Sequence, residues 1–326
     1  MKKGLLILGL AIVLVIFVSP LLLAQTVRIG YSAKALTYLP LFVAQEKGFY
    51  EAEGLQGQLQ FMQRTDLHLQ AIVTGDLHFA TFNPDGIIIF NERGGNLKVI
   101  SGVANAAPYL LIGGKQYKKP EDLKGGKLVG VSALKGGTGS LVQAYLKSKG
   151  ILYPRDYALV VIAGGNPAQL ASLETGAIAA AVFAVPFSDM ALERGLNRIG
   201  DVMEVLPRYQ FNAINVNPAW AEKNRATVVK MLKAHIRSLR WIHDHPSEAA
   251  DLFAKQTQTD LKYVVSGVDY FIKSRVFPVD GSVSLEGLKA NIDFLSQDGL
   301  LTGPLPSPEK YVDSSYLQQA QNELGR

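Results

Sequence analysis

The chain predicts an α/β fold of two lobes, each a mainly parallel sheet flanked by helices, and three observations carry that prediction. Strand-like runs alternate with helix-period segments over residues 26–217, the pattern of strands joined by crossover helices. A helix–Thr-Gly–strand unit occurs twice: "LQAIVTGDLHFATFNP" (69–84) lines up with "LASLETGAIAAAVFAVP" (170–186), which points to two related lobes. From Pro218 onward the pattern is helical with no further strand series, so those helices should pack onto the first lobe.

The elements follow in order. "TVRIGYS" (26–32) alternates as a strand. In "YLPLFVAQEKGFY" (38–50), Pro40 suits a first helical position and Gly48 a stop. "LQGQLQFMQ" (55–63) is a strand, Thr65 to Thr74 a helix, and "LHFATF" (77–82) and "LKVISGV" (97–103) are strands. The series restarts with strand "KLVGVS" (127–132), a helix from Thr138 to Lys149 closed by Gly150, and strand "YALVVIAGG" (157–165). A helix from Pro167 to Thr175 and strand "AIAAAVFAV" (177–185) complete it. "YQFNAINVN" (209–217) is one more strand. A single long helix is expected from Pro218 to His243, with Val228, Leu232, Ile236 and Leu239 on one face, and Pro246 opens the next helix.

Composition sets the class. The 326 residues are 48% hydrophobic and 19% charged, enough for one large domain or two medium ones. Lys2 and Lys3 precede an apolar run from Gly4 to Val18, then Ser19, Pro20 and Ala24 before polar Gln25. This reads as a secretory signal over residues 1–24 cut after Ala24, with an uncleaved membrane anchor as the alternative. With no cysteine in the chain, an exported protein must rely on its core rather than disulfides, and a cysteine-linked lipid anchor is excluded. Beyond the leader, 31 Lys and Arg face 28 Asp and Glu in dispersed positions. No basic stripe interleaved with aromatics exists, so nucleic acid is not an expected partner.

The glycine cluster in "LKGGTGSLVQAYLKSKG" (134–150) raises a nucleotide reading, which fails. A P-loop needs Gly-Lys-Ser/Thr, and Gly139 is followed by Ser140 and Leu141. A dinucleotide fingerprint needs a third glycine where Val142 stands. What remains is a helix N-terminus with close-approach glycines and the hydroxyls of Thr138 and Ser140. Residues Gly136 to Ser140 could cradle an acidic or strongly polar group, or simply cap the helix. His243-Asp244-His245 lacks a third ligand at metal spacing and suits a helix end. Neither a G-x-S-x-G elbow nor an H-E-x-x-H pair occurs, so neither catalytic nor cofactor residues are assigned. Tyr31, Tyr38, Phe82, Phe183 and Phe187 lie near strand ends, where open α/β sheets bind ligands.

From "VRIGYS…YLPLFVAQEKGFYEAEGLQ" through "AIVTGDLHFATFNPDG", "PEDLKGGKLVGVSALKGGTGSLVQAYLKSKGI", "LETGAIAAAVFAVPF" and "VNPAWAEKN…RWIHDHPSEAADLFAKQ", the chain resembles a family. It is similar to the substrate-binding proteins of ABC importers for alkanesulfonates, taurine, nitrate or bicarbonate, and pyrimidine precursors of thiamine. The resemblance spans about residues 27–260 in order.

The resemblance implies a two-lobed periplasmic binding protein fold of the second type, with lobe 1 at 26–106 plus 213–326 and lobe 2 at 107–212. Crossings near Asn105–Leu110 and Tyr209–Ile214 would form the hinge. Positions matching cleft loops are Tyr31, Ser32 and Tyr38, then Thr81, Phe82 and Asn83, then Asn105. Lobe 2 would supply Thr138, Gly139, Ser140, Asn166, Phe183 and Pro186, and the second crossing Asn212. The implied partners are a small-molecule ligand and an ABC permease with its ATPase, served by an exported periplasmic monomer. A sensor module with a separate signalling partner, or an enzyme on the same fold, are the rivals. The family often has Trp or an acid after the lobe 2 strand, where this chain has Ala184-Val185-Pro186, so a cleft less aromatic and less cation-seeking than in precursor-binding relatives is expected. The related thiamine-pyrimidine synthases need a cysteine-rich iron motif, which a cysteine-free chain cannot supply.

Overall fold

Residues 24–62, 64–135 and 137–325 are described by a computed structural model. The expected signal segment up to residue 23 lies outside the described residues, as do Gln63, Gly136 and Arg326.

The first half of the chain runs β1 (Gln25–Tyr31), α1 (Leu39–Glu46), α2 (Phe49–Ala52), β2 (Leu55–Phe61), α3 (Thr65–Thr74), β3 (Phe79–Phe82), α4 (Asp85–Glu92) and β4 (Lys98–Ala104). It continues with β5 (Leu110–Gly113), β6 (Lys127–Val131), α5 (Gly137–Ser148), β7 (Tyr157–Val161), α6 (Gly165–Glu174), β8 (Ala180–Phe183), α7 (Phe187–Glu193), β9 (Asn197–Asp201) and β10 (Asn212–Val216). Helices α8 (Pro218–Lys223), α9 (Arg225–Asp244), α10 (Pro246–Thr257), α11 (Leu261–Lys273), α12 (Leu285–Gln297) and α13 (Ser315–Leu324) follow.

These strands form two five-stranded sheets, ordered β2-β1-β3-β10-β4 and β7-β6-β8-β5-β9. The chain passes from one sheet to the other between β4 and β5 and returns between β9 and β10. The sheets match position for position, with β10 standing in the first where β5 stands in the second. The two sequence repeats therefore deliver α3–β3 and α6–β8, the central strand of each sheet. Each helix ends before a glycine in the left-handed region, Gly75 at φ 86° and Gly176 at φ 75°, the conformation glycine adopts at no steric cost.

Both sheets are mainly parallel in strand direction, as expected, and mixed only because one strand of each is reversed. β10 runs antiparallel to β3 and β4, and β5 antiparallel to β8 and β9. The cause is topological: β5 and β10 arrive by crossing from the other sheet, not through a crossover helix. The expected helix 218–243 is two helices, because Asn224 interrupts it.

Helices cover both faces of each sheet. In the first, Val27, Ile29 and Ile214 face α1, α9 and α10, while Ala80 and Phe82 face α3 and α4. In the second, Leu111 and Val182 face α5, while Ile112 and Phe183 face α6 and α7. Among the C-terminal helices, α9, α10, α11 and α13 join the first core as expected. Helix α12 does not belong there alone: its Leu288 and Ile292 pack with Ile88 of α4, while Ala290 and Phe294 lie against the second sheet's core. Among the described residues no helix is long and apolar enough to cross a membrane.

Candidate functional site

A cavity of about 180 Å³ lies where the two sheets face each other. The segment after β1 supplies Ser32, Leu36, Thr37 and Tyr38. The segment after β8 supplies Ala184 and Val185, and the two crossings supply Pro108, Tyr109 and Phe211. Phe271 of α11 closes it. These are the C-terminal ends of β1 and β8, so the cavity sits at the strand ends of both sheets.

Its polar grip is neutral. Ser32 Oγ and Tyr38 Oη are 2.5 Å apart, so one hydroxyl donates to the other and one hydroxyl hydrogen is left over. Asn212 lies beside the Tyr38 hydroxyl. Its amide nitrogen is buried without a hydrogen bond of normal geometry among the described residues. The Thr81 hydroxyl is likewise buried and unpartnered among the described residues. Thr81 pairs with Tyr31 on one side and Ile214 on the other, so it shares their sheet face, as does Asn212 two residues before Ile214. Burial raises the Tyr38 pKa against the hydrogen bond from Ser32, and burial also raises that of Tyr109. Both stay protonated donors at neutral pH. No lysine, arginine or carboxylate lines the cavity among the described residues.

Asn212 and Thr81 lie outside the cavity's lining, and the remaining sequence-predicted residues sit elsewhere. Tyr31 packs edge-on against Phe42 and tilted on Tyr38, behind the cavity wall. Phe82 stacks on His68, and Phe183 belongs to the core under α6 and α7. Asn166 lies in the first turn of α6 and Pro186 just before α7; neither lines the cavity, although Pro186 adjoins Val185. Asn105 spans the crossings: its amide donates to the Ser282 carbonyl and accepts from Gln210.

The glycine loop is engaged by the chain itself. Thr138 Oγ1 accepts the Ser132 N–H at 2.8 Å. Ser140 Oγ donates to Asp298 Oδ2, at the end of α12, at 2.5 Å. A Cβ on Gly139 would collide with the carbonyl oxygens of Ala133 and Leu134. The Gly137 N–H reaches the carboxylate of Asp85, at the start of α4. Burial pushes Asp85 up to about 6, against hydrogen bonds from Asn291, Tyr209 and that N–H, and Asp298 nearby raises it further. Asn83 fixes this corner by accepting the Asp85 N–H at 2.8 Å. Own-chain carboxylates thus occupy the place where a helix N-terminus favours an anion.

Sequence reasoning missed Tyr109, Phe211 and Phe271. They give the cavity an aromatic lining that Ala184-Val185-Pro186 does not supply. Tyr109 and Phe211 stack edge to face at 5.5 Å across the two crossings; nothing local in the sequence announces that meeting. Contacts between α11 and the second sheet's elements frame the same opening. Glu193 of α7 accepts from Lys262 at 2.8 Å and from Tyr263 at 2.5 Å. Gly267 lets α11 lie on Val185 and Leu36, since a Cβ there would strike both.

Two matched mixed sheets, crossed twice by the chain and enclosing a cavity between them, define the two-lobed fold of the periplasmic binding proteins. More particularly, the chain belongs to the family described as NMT1/THI5 like, whose profile matches residues 36–249. This agrees with the resemblance read from the sequence. The periplasmic aliphatic sulphonate-binding protein SsuA from Escherichia coli has 16% identity and a TM-score of 0.70, over 89% of this chain and 92% of its own. The periplasmic nitrate-binding protein NrtA from Synechocystis PCC 6803 has 13% identity and a TM-score of 0.76, over 93% and 89%. A mutant of DszB in complex with biphenyl-2-sulfinic acid has 16% identity and a TM-score of 0.69, over 92% and 99%. At these identities the likeness shows the fold. No curated protein matches in sequence.

Proposed function

We propose that the protein is an exported solute-binding protein. It captures a small organic ligand with an acidic or strongly polar group between its lobes and delivers it to an ABC permease and its ATPase. The observation that carries this reading is the cavity after β1 and β8, walled by both sheets and both crossings. Lobe 1 comprises 26–106 plus 213–326 and lobe 2 comprises 107–212, with the crossings as the hinge. The ligand's polar group meets the Ser32–Tyr38 hydroxyl pair and the Asn212 amide, and its apolar part meets Tyr109, Phe211 and Phe271. A hydrogen bond from such a neutral donor to a charged group contributes about 1.5–3 kcal/mol. Closure of the lobes on the ligand presents a surface the permease distinguishes from the open form.

Capture without bond cleavage is supported by the lining: no histidine or carboxylate among the described residues stands beside Ser32 or Tyr38 to act as a base. The protein acts as a monomer in the periplasm, its mature chain beginning near Gln25. Native mass spectrometry of the purified protein should reveal one bound small molecule. Small-angle scattering of ligand-free and saturated protein should show a smaller radius of gyration on saturation. Identical scattering curves would remove the closing-lobe account.

A further inference from the structure

A larger cavity, of about 550 Å³, lies on the hinge and shares no lining residue with the one described above. Its polar wall is Asn105 after β4, Arg208 on the approach to β10, His243 at the end of α9, Arg275 after α11, and Ser282 and Ser284 before α12. Neither arginine side chain has a hydrogen bond or an ion pair among the described residues, and no carboxylate among them lines the cavity. The rest of the lining is largely apolar, with Ile272, Phe277, Val279 and Val283.

Arg275 holds an unusual backbone. Its N–H bonds to the Ile272 carbonyl and the next N–H, of Val276, to the Phe271 carbonyl. This is the closing turn of a helix whose turning residue is left-handed, and Arg275 has φ 53°. Glycine is the preferred residue at that position because it alone lacks the Cβ that makes the conformation strained. An arginine held there at a conformational cost lines the cavity, and strain of this kind is a pointer to a functional demand.

We propose that this cavity binds an organic anion. An oxyanion head lies between Arg208 and Arg275 with the Ser282 and Ser284 hydroxyls, and a short hydrocarbon body lies along Ile272, Phe277 and Val279. Guanidinium groups pair with phosphate, sulfonate or carboxylate oxygens through two parallel N–H bonds, and a cavity of this size admits a ligand of several carbons. Arg208 belongs to the segment returning from the second sheet, whereas Arg275 is fixed to the first sheet's helices. An anion bridging them ties the hinge in one setting, so occupancy couples to the angle between the lobes.

The inference stands apart from the solute cleft, and the test separates them. Hexyl phosphate is titrated calorimetrically into wild type, Arg275→Gly, Arg208→Gln and the cleft variant Tyr38→Phe. Loss of a charge-assisted contact should weaken binding at least about tenfold in each arginine variant, with Tyr38→Phe unchanged. Arg275→Gly should melt no lower than wild type without the anion, because glycine suits the turn; that guards against a folding artefact. No binding to wild type, or arginine variants that bind as wild type does, would overturn the proposal. Loss of binding in Tyr38→Phe would place the anion in the cleft instead and overturn it equally.

Discussion

The segments after β1 and after β6 hold the same position in their sheets, and both run from a strand end into a helix. By its residues the one after β6 is the better anion site, with its glycines and two hydroxyls. Yet Thr138 turns back to Ser132, Ser140 to Asp298, and the Gly137 N–H to Asp85. The one after β1 has no glycine cluster, and it lines the cavity between the sheets with Ser32 and Tyr38. A helix N-terminus therefore favours an anion without saying whose. Here α4 and α12 bring the chain's own carboxylates, so the glycine loop fastens one sheet's elements to the other's while its counterpart lines the cavity.

That contrast can be pressed at several points. The largest effect should come from Gly139→Ala. Its Cβ meets backbone carbonyls that cannot rotate away, so about 3 kcal/mol of stability should be lost, read as a lower denaturant midpoint. An unchanged midpoint would mean that the loop is open to a ligand after all.

Next is Asp85, whose pKa of about 6 lies above the ordinary 3.8. Between those values the folded state holds a proton that the unfolded chain has released. This group therefore adds stability as pH falls from about 6 to 4 and withdraws it as pH rises. Relative to Asp85→Asn, wild type should gain about 1–2 kcal/mol between pH 7 and 4, allowing for partial exposure of the carboxylate. Chemical denaturation of both proteins at the two pH values measures the difference. A constant difference would show that Asp85 is not buried against Gly137 and Asn291.

A smaller loss, about 1 kcal/mol, is expected for Ser140→Ala, which removes one hydrogen bond to Asp298. The melting temperature should fall by a few degrees, and combination with Asp298→Asn should add little more, since both changes remove the same contact.

Much of the fold was legible in the sequence. Helix α3 starts and stops at the predicted residues because Gly75 punctuates it, and Pro246 opens α10 as its fixed φ requires. The repeat pointed correctly to two matched sheets. Strands β5 and β9 stayed hidden: "LLIG" is four residues of unbroken apolar chain, and "NRIGD" is a polar edge. Helix α4 was missed because "DGIIIFNE" carries Gly86 and three successive isoleucines, which weaken a helical signal. Of the cavity lining, Ser32 and Tyr38 were named through the family resemblance, as positions after the first strand. Tyr109, Phe211 and Phe271 were not, since their meeting depends on two crossings and a distant helix. The burden on Ser140 was equally unreadable, because Asp298 lies 158 positions away in sequence.

The most direct test compares the two segments with one ligand. The small molecule recovered from wild type is titrated calorimetrically into Tyr38→Phe and Ser140→Ala, with circular dichroism as the fold control. The account predicts affinity weakened roughly tenfold in Tyr38→Phe, the loss of one hydrogen bond to a charged group, and left near the wild-type value in Ser140→Ala. The reverse, with Ser140→Ala losing affinity and Tyr38→Phe retaining it, would contradict the account and return the ligand to the glycine loop.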